Sequence, residues 1–256
     1  MYFETDDLRQ SYVVAKNEIV KFIRGKRFLA YVLLTVLIFV LITVIPYALG
    51  DGFSDVPVEV ISLYASNVSF LIILAATLFA SVVIVSEFEE RTALVLFTRP
   101  IKKTSIFLGK VVGCIILETL MVVAYYLGAA VVSLIVAGGI PTEFFTSLGL
   151  AFMFIIATSG VAVLFSSVMK RGSMSAILTF FFFMMMLTII TTLIYYSGGV
   201  EPWFMADAAA GAIDPLAVTI EPLVFVPGPG IAAMTMTVWG SVSLVLAWLA
   251  FTRREF

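Results

Sequence analysis

The stretch that decides the reading is SEFEERTALVLFTRPIKKTSIFLGK, residues 86–110. TLFASVVIV (77–85) leads into it and VVGCIILETLMVVAYYLG (111–128) leads out, and both are almost purely apolar. Between them lies a dense polar patch. It carries Glu87, Glu89, Glu90 and Arg91 before TALVLF, then Arg99-Pro100 and the lysines 102, 103 and 110. TALVLF offers an apolar face of about one and a half helical turns. Arg99-Pro100 ends it, because a residue before proline disfavours the helical region. Thr104 then carries a hydroxyl suited to capping a new helix. A merely solvated link needs no LVLF. An apolar face ringed by charge predicts a docking surface for another protein.

Working outward, the chain is 62% hydrophobic and 12% charged. A soluble domain is nearer half apolar and a quarter charged. The expectation is an integral membrane protein. Six runs reach the roughly 20 residues that a helix needs to cross a bilayer. They are 28–49, 62–85, 106–137, 144–169, 173–196 and 231–251. The third is long enough to tilt or to start outside the membrane. Only KRGS separates the fourth from the fifth, which predicts a tight hairpin. The fold class is therefore all-α and polytopic, one transmembrane unit over 1–256.

The charges give an orientation. All 15 basic residues fall in the N-terminal segment (1–27), the 86–110 stretch, the KRGS hairpin and the C-terminal tail. The loops on the other side carry Asp51, Asp55, Glu59, Glu143, Glu201, Asp207, Asp214 and Glu221 instead. Lysine and arginine are retained on the cytoplasmic face during insertion. Both termini and residues 86–105 are thus expected in the cytoplasm, in a plasma-membrane protein with no cleaved leader.

Within the first segment, Leu8, Tyr12, Ala15, Ile19 and Phe22 are spaced as one helical stripe. The expectation is an amphipathic helix lying in the membrane interface, its lysines near anionic headgroups. The alternative is a plain basic flank. The 198–230 loop holds Pro202, Pro215, Pro222, Pro227 and Pro229 but is apolar. It is expected to fold back toward the membrane as short helices, with Trp203 and Phe204 as interface anchors.

Several chemistries are excluded. The chain has no histidine, which removes the common proton shuttle and every histidine-based dyad. Ser159-Gly160 invites an intramembrane serine protease, but no base is available. No catalytic residue and no metal site is expected. Met184, Met185 and Met186 suggest Cu(I), yet consecutive helical residues point about 100° apart and cannot converge on one ion. The single cysteine, Cys114, can form no internal disulfide. No phosphate-cradling loop is present: neither IRGKRF nor FLGKVV has a glycine at the required upstream position. If ATP drives this protein, another chain binds it.

One carboxyl group lies inside a span. Glu118 sits near the middle of the third, and Tyr125, seven residues on, shares its face. Such a residue is either part of a substrate or proton path or a structural group bonded to a neighbouring hydroxyl such as Thr77, Ser81 or Thr158. The structural role is the expectation.

Glu87, Thr92, Leu94, Pro100, Lys103, Gly109 and Lys110 follow one another in an order and spacing that resembles the ABC-2 type permeases, the membrane subunits of one class of ATP-binding-cassette transporter. Arg91 stands where that family usually has a glycine. FTRREF resembles its short basic-acidic tail. The resemblance implies a non-enzymatic exporter permease acting as a dimer, with a second copy or a similar chain. It implies separate nucleotide-binding subunits that carry ATP and magnesium, with no cofactor on this chain and no nucleic-acid partner. It also implies that Glu87, Glu89, Arg91, Thr92, Leu94, Leu96, Arg99, Pro100 and Lys103 form the coupling surface. Two other readings stay open. One is a stand-alone secondary transporter or channel using Glu118; the other is a non-transporting membrane scaffold.

Overall fold

The computed structural model describes residues 5–50, 52–89, 102–198, 200–217 and 225–253. Among these residues the regular structure is all helical, with no strand. Helix α1 spans Thr5–Ile23. Six helices long and apolar enough to cross a membrane follow. They are α2 (Lys26–Leu49), α3 (Pro57–Glu89), α4 (Lys103–Val136), α5 (Glu143–Val168), α6 (Gly172–Ser197) and, after the short outer helix α7 (Ala206–Gly211), α8 (Pro229–Arg253).

The ends of these helices follow local chemistry. Pro57 sits in the first turn of α3, where its missing N–H is no loss. Gly50 ends α2 in the left-handed region, at φ 89°. The helix α3 is not continuous. It breaks after Ala65, tightens to a 3-10 turn at Ala80–Val82 and resumes at Val85. Breaks inside a membrane free backbone donors that need a partner. Here the Ser166 hydroxyl oxygen of α5 accepts from the N–H groups of both Ile84 and Val85, at 3.0 Å each.

Burial orders the bundle. In the apolar window of α3, 78% of residues are buried, against 6% in α2 and 22% in α6. So α3 is the centre, packed on α5 and α4, and α2 and α6 lie at the periphery with wide apolar faces turned outward. The π-helical turn Phe182–Leu187 in α6 buries Phe183 and Leu187 and turns Met185 and Met186 outward. The three methionines therefore diverge.

The most extensive helix pairing is between α5 and α8. Gly160 and Gly240 meet there, and a Cβ on Gly240 would lie 2.9 Å from Ile156 Cγ2 and 3.2 Å from the Ala157 nitrogen. Small residues allow this backbone approach, which is how membrane helices gain packing without a hydrophobic drive. Gly240→Val is expected to destabilise the bundle by about 1–3 kcal/mol through overpacking, read as a lowered melting point in detergent.

At the opposite end from the hairpin, α7 is drawn into the bundle mouth. Ala206, Ala209 and Ile213 are fully buried. Serine and threonine hydroxyls of the long helices bind its flanks: Ser69 donates to the Ala210 carbonyl (3.2 Å), Ser147 to the Ile213 carbonyl (2.5 Å) and Ser62 to Asp214 Oδ1 (2.5 Å). Burial raises the Asp207 carboxyl above its ordinary value, and a hydrogen bond from Thr188 offsets part of that. Trp239 Nε1 donates to the Phe204 carbonyl at 2.9 Å, which pins Trp203 and Phe204 beside α8.

The stripe expected on α1 is divided. Ala15 and Phe22 are buried against the bundle together with Asp7 and Glu18, while Leu8 and Tyr12 face outward at 62% and 68% exposure. Packing of the inward face on α4, with Phe22 edge-on to Phe79 at 5.4 Å, overrides the simple stripe.

Candidate functional site

The candidate site lies where α1 crosses α4, close to the end of α3. It starts with two glycines. Gly109 and Gly113 are one turn apart and leave a notch in α4. The α1 backbone sits in that notch: a Cβ at Gly109 would lie 2.6 Å from the Ser11 carbonyl oxygen and 2.7 Å from Val14 Cβ, and one at Gly113 would lie 3.0 Å from the Ala15 carbonyl oxygen. Backbone cannot yield as a side-chain tip can. Gly109→Ala is therefore expected to lift α1, costing about 1–3 kcal/mol. Hydrogen exchange should show loss of amide protection along residues 11–22, with α8 unchanged.

The close crossing brings charges together. Lys110 is only 2% exposed. Its Nζ donates to Glu18 Oε1 of α1 and to Glu87 Oε1 at the end of α3, the latter at 2.8 Å. Lys21 of α1 stands 3.5 Å from the same Glu87 oxygen. Two lysines and two glutamates thus neutralise one another, with Lys110, Glu18 and Glu87 shielded from water and Lys21 at the exposed edge. A lone buried charge there would be costly; a hydrogen-bonded set is tolerated. One rung away, Lys102 Nζ reaches Asp7 Oδ2 at 2.7 Å. On the other side, Glu89 Oε2 accepts from the N–H of Gly172 at 2.9 Å, at the positive end of α6.

The result is a clamp. Glu87 and Glu89 stand just before the 90–101 segment, and Lys102 and Lys110 just after it. All four are tied to α1, α4 or α6. Lys103 opens α4. Of the remaining coupling residues expected from sequence, Arg91, Thr92, Leu94, Leu96, Arg99 and Pro100 lie outside the described residues. Asp7, Glu18, Gly113 and Gly172 were missed by the sequence reading. The legible signals were Gly109-x-x-x-Gly113 and two acids eleven residues apart on α1, three helical turns that place both on one face.

Glu118 is fully buried between α4 and α5. Ser159 donates to its Oε2 at 2.7 Å. The hydroxyls named as candidates from the sequence turn to their own helices: Thr77 to the Ile73 carbonyl, Ser81 to Thr77 and Thr158 to Phe154. Tyr125 is engaged elsewhere. Its hydroxyl donates to the Tyr64 carbonyl at 3.1 Å and its ring packs edge-on to Phe39. Ser159 can donate equally to an amide oxygen. Glu118→Gln should therefore keep the fold to within about 1 kcal/mol, whereas Glu118→Leu strands the Ser159 hydroxyl at a cost of about 1–3 kcal/mol. Melting points in detergent separate the two variants.

The model of the family described as ABC-2 family transporter protein matches residues 12–202 of this chain. The match runs from within α1 past the end of α6, and so includes both notch glycines and the cluster of Lys110, Glu18, Glu87 and Lys21, but not Asp7. No curated protein matches the chain.

Proposed function

From the premise that this multi-pass membrane chain belongs to the ABC-2 transporter family, we propose that it is the permease subunit of an ATP-driven exporter. It forms the translocation pathway as a dimer. Separate nucleotide-binding subunits, carrying ATP and magnesium, dock on residues 86–105. Both termini and that segment lie in the cytoplasm of a plasma-membrane protein, as the sorting of all 15 basic residues supports.

The observation that carries this reading is the clamp. Glu87 and Lys110 flank the 90–101 segment and are held together with Glu18 in one buried ion cluster. An ornamental surface loop needs no such anchoring. A lever does, because force applied to it must reach the helices without being absorbed. ATP-driven closure of the partner pair shifts the segment, and the clamp carries the shift into α1, α4 and α6. The partner's differential binding of ATP in its two states supplies the free energy. The bundle's own residues perform no chemistry in this scheme; they alternate which end of the pathway is open.

The test is purification of the tagged chain from its own host in gentle detergent. A soluble chain with a phosphate-binding loop is expected in roughly equal amount. Recovery of this chain alone, as a stable oligomer, would remove the ATP-driven reading and turn attention to Glu118 as an ion-linked site.

A further inference from the structure

A second feature of α1 lies on its outward side. Between α1 and α4 runs an open groove of about 460 Å³. Leu8, Tyr12, Ile19, Leu108, Val112 and Ile116 line it, and Lys16 stands among them as the one cation in the lining.

The charges of α1 are sorted in a particular way. In residues 8–23 the single acid is Glu18, and it is turned inward to Lys110. Lys21 is taken up by Glu87. That leaves Arg9 and Lys16, both exposed, and among the described residues neither has an ion-pair partner. They are seven residues apart, two turns along one helix, and so project within about 20° of each other. Lys16 thus stands in the lining of an apolar groove, and Arg9, next in sequence to the lining residue Leu8, projects in nearly the same direction as Lys16, on a helix at the basic end of a membrane protein. The pattern complements a molecule with an anionic head and a long hydrocarbon tail.

We infer that this groove is a binding site for one anionic glycerophospholipid. One acyl chain lies between α1 and α4, and the phosphate-bearing headgroup sits against Arg9 and Lys16. A zwitterionic lipid of the same chain length fills the groove but gains less from the two cations. A juxtamembrane Lys or Arg typically favours anionic lipid about fivefold, so two together give about 30-fold. Because the lipid contacts the outer side of the same helix whose inner side holds Lys110, its occupancy braces α1 in the notch. The site rests on the fold alone and does not depend on the transporter reading.

The test uses the full chain, purified in detergent without any nucleotide-binding partner. It is incubated with equal amounts of phosphatidylglycerol and phosphatidylcholine of identical chains, and retained lipid is counted by native mass spectrometry. The expected result is preferential retention of phosphatidylglycerol, with the preference falling about 30-fold in Arg9→Gln/Lys16→Gln. Ile116→Trp, which fills the groove, should reduce retention of both lipids at unchanged oligomeric state. Equal retention of the two lipids by the unaltered chain overturns the inference, as does an unchanged preference in the double variant. So does dissociation of an oligomer by Ile116→Trp with lipid retention intact, which would make the groove a contact between copies.

Discussion

Replacing Lys110 by methionine is expected to destabilise the protein by about 3–5 kcal/mol, the usual effect of removing one partner from a buried ion cluster. The methionine fills nearly the same volume, so little of this is packing. The cause is the acids left behind. Glu18, 6% exposed, loses the lysine that pairs with it, and no other ion pair reaches it among the described residues. Glu87 keeps Lys21, but at 3.5 Å and partly in solvent. The expected phenotype is a large drop in melting temperature and loss of monodisperse protein on size-exclusion chromatography. Lys110→Met combined with Glu18→Met should recover most of the loss, since it removes both members of the pair and leaves Glu87 with Lys21. Replacing a buried pair with apolar residues is often neutral or stabilising. A single variant as stable as the unaltered chain would mean that α1 is held by the glycine notch and apolar packing alone.

The second large effect is functional. Leu94→Asp with Leu96→Asp places two charges on the apolar face of the proposed coupling surface. Interface anchors typically contribute about 2 kcal/mol or more each, so the double variant should weaken partner binding by several hundred-fold or more. Transport-coupled ATP turnover should fall to the level of the isolated partner. The melting point should stay close to that of the unaltered chain, because the clamp of Lys110, Glu18 and Glu87 is untouched. The same variant separates the competing readings. A stand-alone transporter using Glu118 would keep full activity. A scaffold would release a partner without any change in turnover.

The sequence carried the architecture through two strong signals. Apolar runs of bilayer length marked six helices, and the distribution of lysine and arginine marked one end of them. Helix ends were less legible. The helices α3 and α4 begin at Pro57 and Lys103, several residues before the apolar windows at 62 and 106. Hydropathy detects the hydrocarbon-crossing part, whereas the backbone stays helical into its polar flanks. The face of α1 was harder still. Leu8, Tyr12, Ala15, Ile19 and Phe22 fit a stripe, but Asp7 and Glu18 define the buried side. Their lysine partners lie about 90 residues away in sequence, and no local pattern announces them. The partner of Glu118 fell one position from an expected residue for a related reason. The helix α5 is apolar nearly all round, so its sequence does not distinguish the face of Thr158 from that of Ser159, about 100° away.

The most direct test of the account places a photoreactive residue at position 94 in the full chain, in cells of its own host. The segment is proposed to touch a nucleotide-binding subunit, so illumination should yield one dominant adduct. Peptide mapping should identify its partner as a soluble chain with a phosphate-binding loop. The adduct should disappear when Leu96 is also changed to aspartate. Adducts only with lipid, or with a second copy of this chain, would contradict the claim that residues 86–105 are where an ATP-driven partner takes hold.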